Sequence, residues 1–261
     1  MFLGRNHGEI STTNKIIYMK SVIYAASFAI LTTLFTFITT NNAIGQGVQI
    51  GVSAGANVSS HLKNFLFEDG DINLDFNPNP KFGINGGLIV RVPINESLRF
   101  HAEPSIAMIG AKYDDSFELR GFNFQTDSKV DLLYLQLPLL VQLSTVPPER
   151  TVYGRQRAET TYHLTGGFYG GYLLDATFTG TNRGAPIGIQ FEGEFTEDID
   201  NQYKQYDGGL IVGGGIEHGS RSKIGLEVRA FFSITDSGNR DVLELFKPQN
   251  MGVTMAVYYL L

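Results

Sequence analysis

Hydrophobic and polar residues alternate along most of this chain with a period of two. The clearest run is LLYLQLPLLVQL, residues 132–143. Here Leu133, Leu135, Leu137, Leu139, Val141 and Leu143 make one apolar face, and Leu132, Tyr134, Gln136, Pro138, Leu140 and Gln142 a mixed one. Successive side chains of a strand point to opposite faces, so the pattern predicts a strand. A helical membrane span does not fit, because it needs roughly 20 apolar residues and Pro138 would break the helix.

The same device recurs along the chain. VQIGVSAGAN sets Val48, Ile50, Val52, Ala54 and Ala56 against Gln49, Gly51, Ser53, Gly55 and Asn57. FGINGGLIVRV sets Phe82, Ile84, Leu88, Val90 and Val92 against Gly83, Asn85, Gly87 and Arg91. LRFHAEPSIAM places Arg99, His101, Glu103 and Ser105 opposite its apolar face, and YHLTGGFYGGYLLD does so with His163, Thr165, Tyr169 and Asp175. KIGLEVRAFFS opposes Ile224, Leu226, Val228, Ala230 and Phe232 to Gly225, Glu227, Arg229 and Ser233. MGVTMAVYY alternates likewise, whereas the glycines of GLIVGGGIE blur its parity.

These runs make eight candidate strands of about ten residues. Strands of a soluble sandwich are usually about 5–6 residues long, whereas a transmembrane β-strand needs about 9–11. A bilayer cannot satisfy a free sheet edge, so such a sheet must close on itself. The expected fold is therefore all-β: an eight-stranded antiparallel up-and-down transmembrane β-barrel over residues 47–261. The links at 58–80, 111–130, 176–207 and 235–249 are long and acidic, while PINES and HGSRS are short. Long extracellular loops and short periplasmic turns follow that order. TVPPERTVYGRQRAET is longer than a typical periplasmic turn. Pro104 and Pro138 remove ladder donors inside strands, and bulges are their expected setting.

Ahead of the barrel, Lys15 and Lys20 precede the apolar stretch SVIYAASFAILTTLFTFITT, and NNAIGQ then supplies the small residues Ala43 and Gly45. This order is that of a cleaved signal peptide. Residues 1–46 are thus read as an upstream extension plus signal peptide, with translation starting at Met19 and cleavage near Gly45 or Gln46. An uncleaved anchor is the rival reading.

The chain has a net charge of −6 and no cysteine. The missing cysteine excludes disulfide scaffolds, thiolate metal sites and a lipid-anchored N-terminus. Nucleic acid is not an expected partner, since no basic stripe accompanies the acidic balance.

Several stretches carry a family resemblance: GVSAGANVSS, YLQLPLLVQL, TGGFYGGYLLDA, YDGGLIVGGGIE, IGLEVRAFFSITD and the ending KPQNMGVTMAVYYLL. In order and spacing they resemble the PorT-like outer-membrane β-barrel proteins, small eight-stranded barrels of the OmpA type. The resemblance implies a barrel in the bacterial outer membrane and no established activity. The founding member is tied to assembly of a system that secretes proteins across that membrane. The YYLL ending departs from the family habit of finishing on an aromatic residue.

An eight-stranded barrel is just wide enough for side chains to fill it. Arg91, Arg99, His101, Glu103, His163, Asp175, Glu227 and Arg229 take the inward parity and are expected to pair into a polar plug. Arg91 and Arg99 flank the PINES turn, so Glu103 or another acid should stand close to them. No catalytic, cofactor-binding or metal site is expected. The inward histidines lack a paired serine, and DGDINLD departs from a calcium loop, with Leu74 where glycine is needed and Pro80 where the closing glutamate belongs. VGGGIE lacks the Lys and Ser/Thr of a phosphate loop. The functional expectation is a monomeric, non-enzymatic structural or interaction protein. Its partners would be outer-membrane lipids, lipopolysaccharide and envelope or secretion-system proteins. A narrow pore or small-solute channel is the alternative, and a lipid-modifying enzyme the third reading.

Overall fold

The computed structural model describes residues 47–63, 65–69, 72–119, 122–145, 151–152, 155–156, 158–184, 191–220, 222–238 and 248–261. The expected extension and signal peptide, residues 1–46, lie outside the described residues. Eight strands form the frame: β1 (Gln49–His61), β2 (Lys81–Pro93), β3 (Leu98–Ala102 and Ser105–Leu119), β4 (Phe122–Ser144), β5 (Glu159–Gly184), β6 (Tyr206–Gly219), β7 (Lys223–Ser233) and β8 (Asn250–Leu260). Each pairs antiparallel with its neighbours in sequence, and β8 returns to pair with β1 from Leu260↔Gly51 to Asn250↔His61. The sheet is therefore a closed up-and-down barrel, which leaves no unsatisfied edge in the bilayer.

The alternation of the sequence becomes the two surfaces of this barrel. Val52, Phe82, Leu88, Leu137, Leu164, Val212, Val228 and Val257 are exposed on the outside. Such a continuous apolar surface would be untenable in water and suits hydrocarbon. The inward set is buried, with polar side chains in the lower barrel. Toward the outer mouth an apolar cluster includes Ile109, Leu132, Tyr134, Leu140, Tyr169 and Phe231.

Short turns close one end. Asn95 Oδ1 accepts hydrogen bonds from the backbone N–H groups of Ser97 and Leu98, at 2.9 and 2.8 Å, and so builds the PINES turn. Gly219 opens the other short turn with φ +145°, a conformation that L side chains rarely adopt.

The long links differ from expectation. β4 runs for 23 residues and β5 for 26, far beyond the ten or so that a bilayer requires. Much of 111–130 and 176–207 is strand rather than loop: β3 and β4 stay paired out to Leu119↔Phe122, and a further strand, Phe191–Asp198, pairs with the end of β5. These segments are polar on their outer face, which reads as loop. Neighbouring strands nevertheless satisfy their backbone, and Ala111, Tyr113, Val130 and Ala176 keep an apolar inner face buried. A sheet of β3, β4, β5 and Phe191–Asp198, with the short strand Pro78–Asn79 paired to β3 at Tyr113 and Lys112, thus continues beyond the membrane portion. An epitope tag at Glu197 is expected to be labelled by antibody on intact cells, whereas one at Ser220 should need permeabilised cells; equal labelling would mean the barrel is inserted otherwise.

The prolines also differ from expectation. Ala102 pairs with Leu139 and Ser105 with Gln136, so β3 and β4 keep one register across Glu103 and Pro104. No extra residue is inserted. Two donors are lost, but both proline carbonyls still accept: Glu103 N–H donates to Pro138 O at 3.1 Å and Leu88 N–H to Pro104 O at 3.0 Å. The register shift lies instead on β5, between Leu173 and Asp175.

Candidate functional site: the charged interior

Strand parity delivers the polar side chains to the lumen, and the pairing register stacks them in layers. At the inner end Glu217, on β6, is the hub. Its carboxylate accepts from Arg91 (2.7 Å), Arg99 (2.5 Å) and Lys223 (2.8 Å), from the Thr161 hydroxyl (3.1 Å) and from the Tyr258 hydroxyl (3.2 Å). The Arg91 guanidinium also lies 5.4 Å from the centre of the Tyr258 ring, a cation–π contact. Arg91 and Glu217 are essentially inaccessible to solvent.

The next layer is built around Arg229. It donates to Glu103 Oε2 (2.5 Å) and to Glu227 Oε2 (2.9 Å), bridging two carboxylates on different strands. Ser53 donates to the other Glu103 oxygen at 2.6 Å. His101 Nε2 stands 3.3 Å from Glu103, and His163 Nε2 stands 3.6 Å from Glu227. A cavity of about 40 Å³ lies beside Arg229 at this level, bordered by Asn57, Asn85 and Gln136. That is room for a few waters.

Toward the outer mouth Asp207 is buried among neutral donors: Tyr169 OH (3.1 Å), Thr235 Oγ1 (2.6 Å), Asn250 Nδ2 (3.1 Å), the Gly208 N–H (2.9 Å) and Ser233 Oγ. This network ties β5, β6, β7 and β8 to the segment that follows β7. Lys81, almost fully buried, pairs with Asp131 at 2.6 Å, and Lys129 joins at 3.2 Å.

Of the eight residues expected in the interior, Arg91, Arg99, His101, Glu103, His163, Glu227 and Arg229 are buried there. Asp175 is not. The register shift after Leu173 turns Leu174 and Asp175 both outward, and Asp175 is exposed, accepting from Thr177 Oγ1 at 3.0 Å. The acid facing Arg91 and Arg99 is Glu217 rather than Glu103. Glu217 was missed because Gly213, Gly214 and Gly215 carry no side chain to mark parity; the step from Ile216 to Glu217 was the remaining signal. Lys81, Asp207 and Lys223 were missed because they sit at strand ends, inside segments read as links or at their borders.

The buried ion pairs tie strands to one another across the lumen. Ser53 donates to one oxygen of Glu103 while His101 Nε2 stands 3.3 Å from the other, so the carboxylate lies between the serine and the histidine. Among the described residues no group of three or more His, Asp or Glu side chains is placed to hold a metal ion. In the acidic run 69–75, Asp71 and the side chains of Asp69, Asn73 and Asp75 lie outside the described residues.

Comparison with known proteins adds a family. A family model described as an outer membrane protein beta-barrel domain matches residues 39–239, well over half of the chain. No curated protein matches. Among solved structures, the chain is similar to Ail, the attachment invasion locus protein of Yersinia pestis, at 13% identity, covering 82% of this chain and 98% of that one with a TM-score of 0.28. It is also similar to Neisserial surface protein A, at 10% identity, 82% and 98% coverage and a TM-score of 0.31. A third similarity is to LpxR from Salmonella typhimurium, at 8% identity, 79% and 99% coverage and a TM-score of 0.27.

Proposed function

Because the chain belongs to the outer membrane protein beta-barrel domain family and is an outer-membrane β-barrel protein, we propose that it works there as a non-conducting, non-enzymatic interaction protein. The barrel is the membrane anchor and the sheet beyond it is the working surface. The observation that carries this reading is the filled interior. The ion-paired layers of Glu217 and Arg229 stand in series across the lumen, and the cavity beside Arg229 holds about 40 Å³. A solute path needs continuous water, and a closed set of buried pairs opposes it because opening leaves charges uncompensated. The separation of Ser53 from His101 by Glu103 supports a non-enzymatic role.

The PorT-like resemblance supports protein export across the outer membrane as the setting, with an envelope or secretion-system protein as partner. The apolar belt meets outer-membrane lipids and lipopolysaccharide, and the barrel acts as a monomer. Purified wild-type protein in planar bilayers is expected to remain electrically silent. Sustained single-channel currents would overturn this reading and establish the narrow pore instead.

A further inference from the structure

We propose that the free edge of the strand Phe191–Asp198 is a docking site for an extended, cationic peptide segment of another protein, which adds to the sheet as one more strand. The proposal deepens the interaction reading above and rests on it. Beyond the barrel, β3, β4 and β5 continue as a sheet, and Phe191–Asp198 is its last member. It pairs with β5 from Gly184↔Phe191 to Thr177↔Asp198. Among the described residues no strand pairs with its other side, so it ends the strand order. Eight residues at about 3.3 Å each make an edge of about 26 Å. Along it, alternate N–H and C=O groups face outward with no ladder partner among the described residues. An incoming strand satisfies those groups by main-chain pairing, whatever its detailed sequence.

The edge is held ready for this. The Phe195 ring packs 5.1 Å from that of Phe178. It lies over Gly180, where a side chain would collide with it. Arg183 ties the strand to the sheet through Glu192 (2.9 Å) and Asp127 (3.0 Å). A strand already in its bound conformation gives up little freedom on binding.

Charge identifies the partner. Four of the eight residues, Glu192, Glu194, Glu197 and Asp198, are acidic and none is basic. The outer face carries the acidity inward along one cross-strand row, in which Glu194 faces Thr181, Thr181 faces Asp127 and Asp127 faces Asp114. An open groove of about 390 Å³ runs over this row and is lined also by Lys112 and Lys129. Lys129 is engaged by Asp131. A second copy of this strand would set acid against acid, which is unfavourable for directly opposed residues. A strand with Lys or Arg at alternate positions sets opposite charges across the pair. Acidic residues on an edge also deter indiscriminate pairing, and a guard without a partner would bind no strand of any charge.

The test uses the full barrel in detergent micelles and a fluorescent ten-residue peptide of alternating Lys and Val. The peptide should bind, as read by anisotropy, with affinity falling as salt rises. A peptide of alternating Glu and Val should not. N-methylation of every second backbone nitrogen keeps the charge but removes the ladder donors, and it should abolish binding. Glu194→Gln/Asp198→Asn, which leaves the Arg183–Glu192 tie intact, should weaken binding severalfold, the sum expected of two exposed charge pairs, while leaving the heat-dependent gel migration of the barrel unchanged. Hydrogen exchange should slow within 191–198 on binding. No binding, equal binding of the N-methylated peptide, or protection confined to other segments would each overturn the proposal. A silent bilayer recording with no peptide binding overturns this inference alone, whereas channel currents overturn the interaction reading beneath it.

Discussion

Glu217→Gln is expected to lower the stability of the barrel by about 3–5 kcal/mol, the range found when one partner of a buried ion pair is removed. Three cations converge on this carboxylate within 2.8 Å, and its side chain is 1% exposed. The glutamine keeps the volume and one acceptor oxygen, so packing is preserved and the charge alone is lost. Arg91 then stands buried beside Arg99 and Lys223 with a neutral amide and the Tyr258 ring in place of a carboxylate. Denaturant unfolding of the refolded barrel in micelles measures the effect. Glu103→Gln should also destabilise, because Arg229 keeps Glu227 but loses one of its two carboxylates. Arg91→Met in the Glu217→Gln background should recover part of the loss, because it removes one of the stranded charges. An unchanged unfolding midpoint for Glu217→Gln would mean that water reaches the inner layer and screens it.

Leu137→Arg is expected to cost about 2–4 kcal/mol, the range for arginine at the midplane on the lipid face of a barrel, while Leu143→Arg should cost about 0–1, as near an interface. Both leucines belong to the outward face of β4, with exposures of 46% and 55%. Leu137 faces the middle of β5 at Gly170, whereas Leu143 is one residue from the strand end at Ser144. The pair shares residue type, strand and face, so the difference isolates depth. Refolding into lipid vesicles, followed by denaturant titration, gives both values. Equal losses would show that the bilayer midplane lies elsewhere along β4.

The facing of side chains was legible because it is local. Residues i and i+2 share a face in any strand, so Arg91, His101, Glu103, His163, Glu227 and Arg229 could be placed inside without knowing a single partner. Strand length against bilayer thickness then pointed to a closed barrel. The same locality explains the errors. One inserted residue reverses parity, and nothing in YLLDA marks the shift that sends Asp175 outward. Three glycines in a row erase the signal that would have counted Glu217 among the interior acids. The length of β4 and β5 was hidden because polar residues outside the membrane are tolerated in strands as readily as in loops, once neighbouring strands supply the hydrogen bonds.

By itself, then, the sequence determined the period-two faces, the closed all-β architecture they require in a bilayer, and the presence of buried charges of both signs. The tertiary structure alone decided which charge meets which. Arg91 and Glu217 are 126 positions apart, as are Glu103 and Arg229. They come together because the pairing of all eight strands fixes how far each is slid past the next. That stagger is a property of the closed ring as a whole, and no stretch of residues short enough to show a pattern contains it.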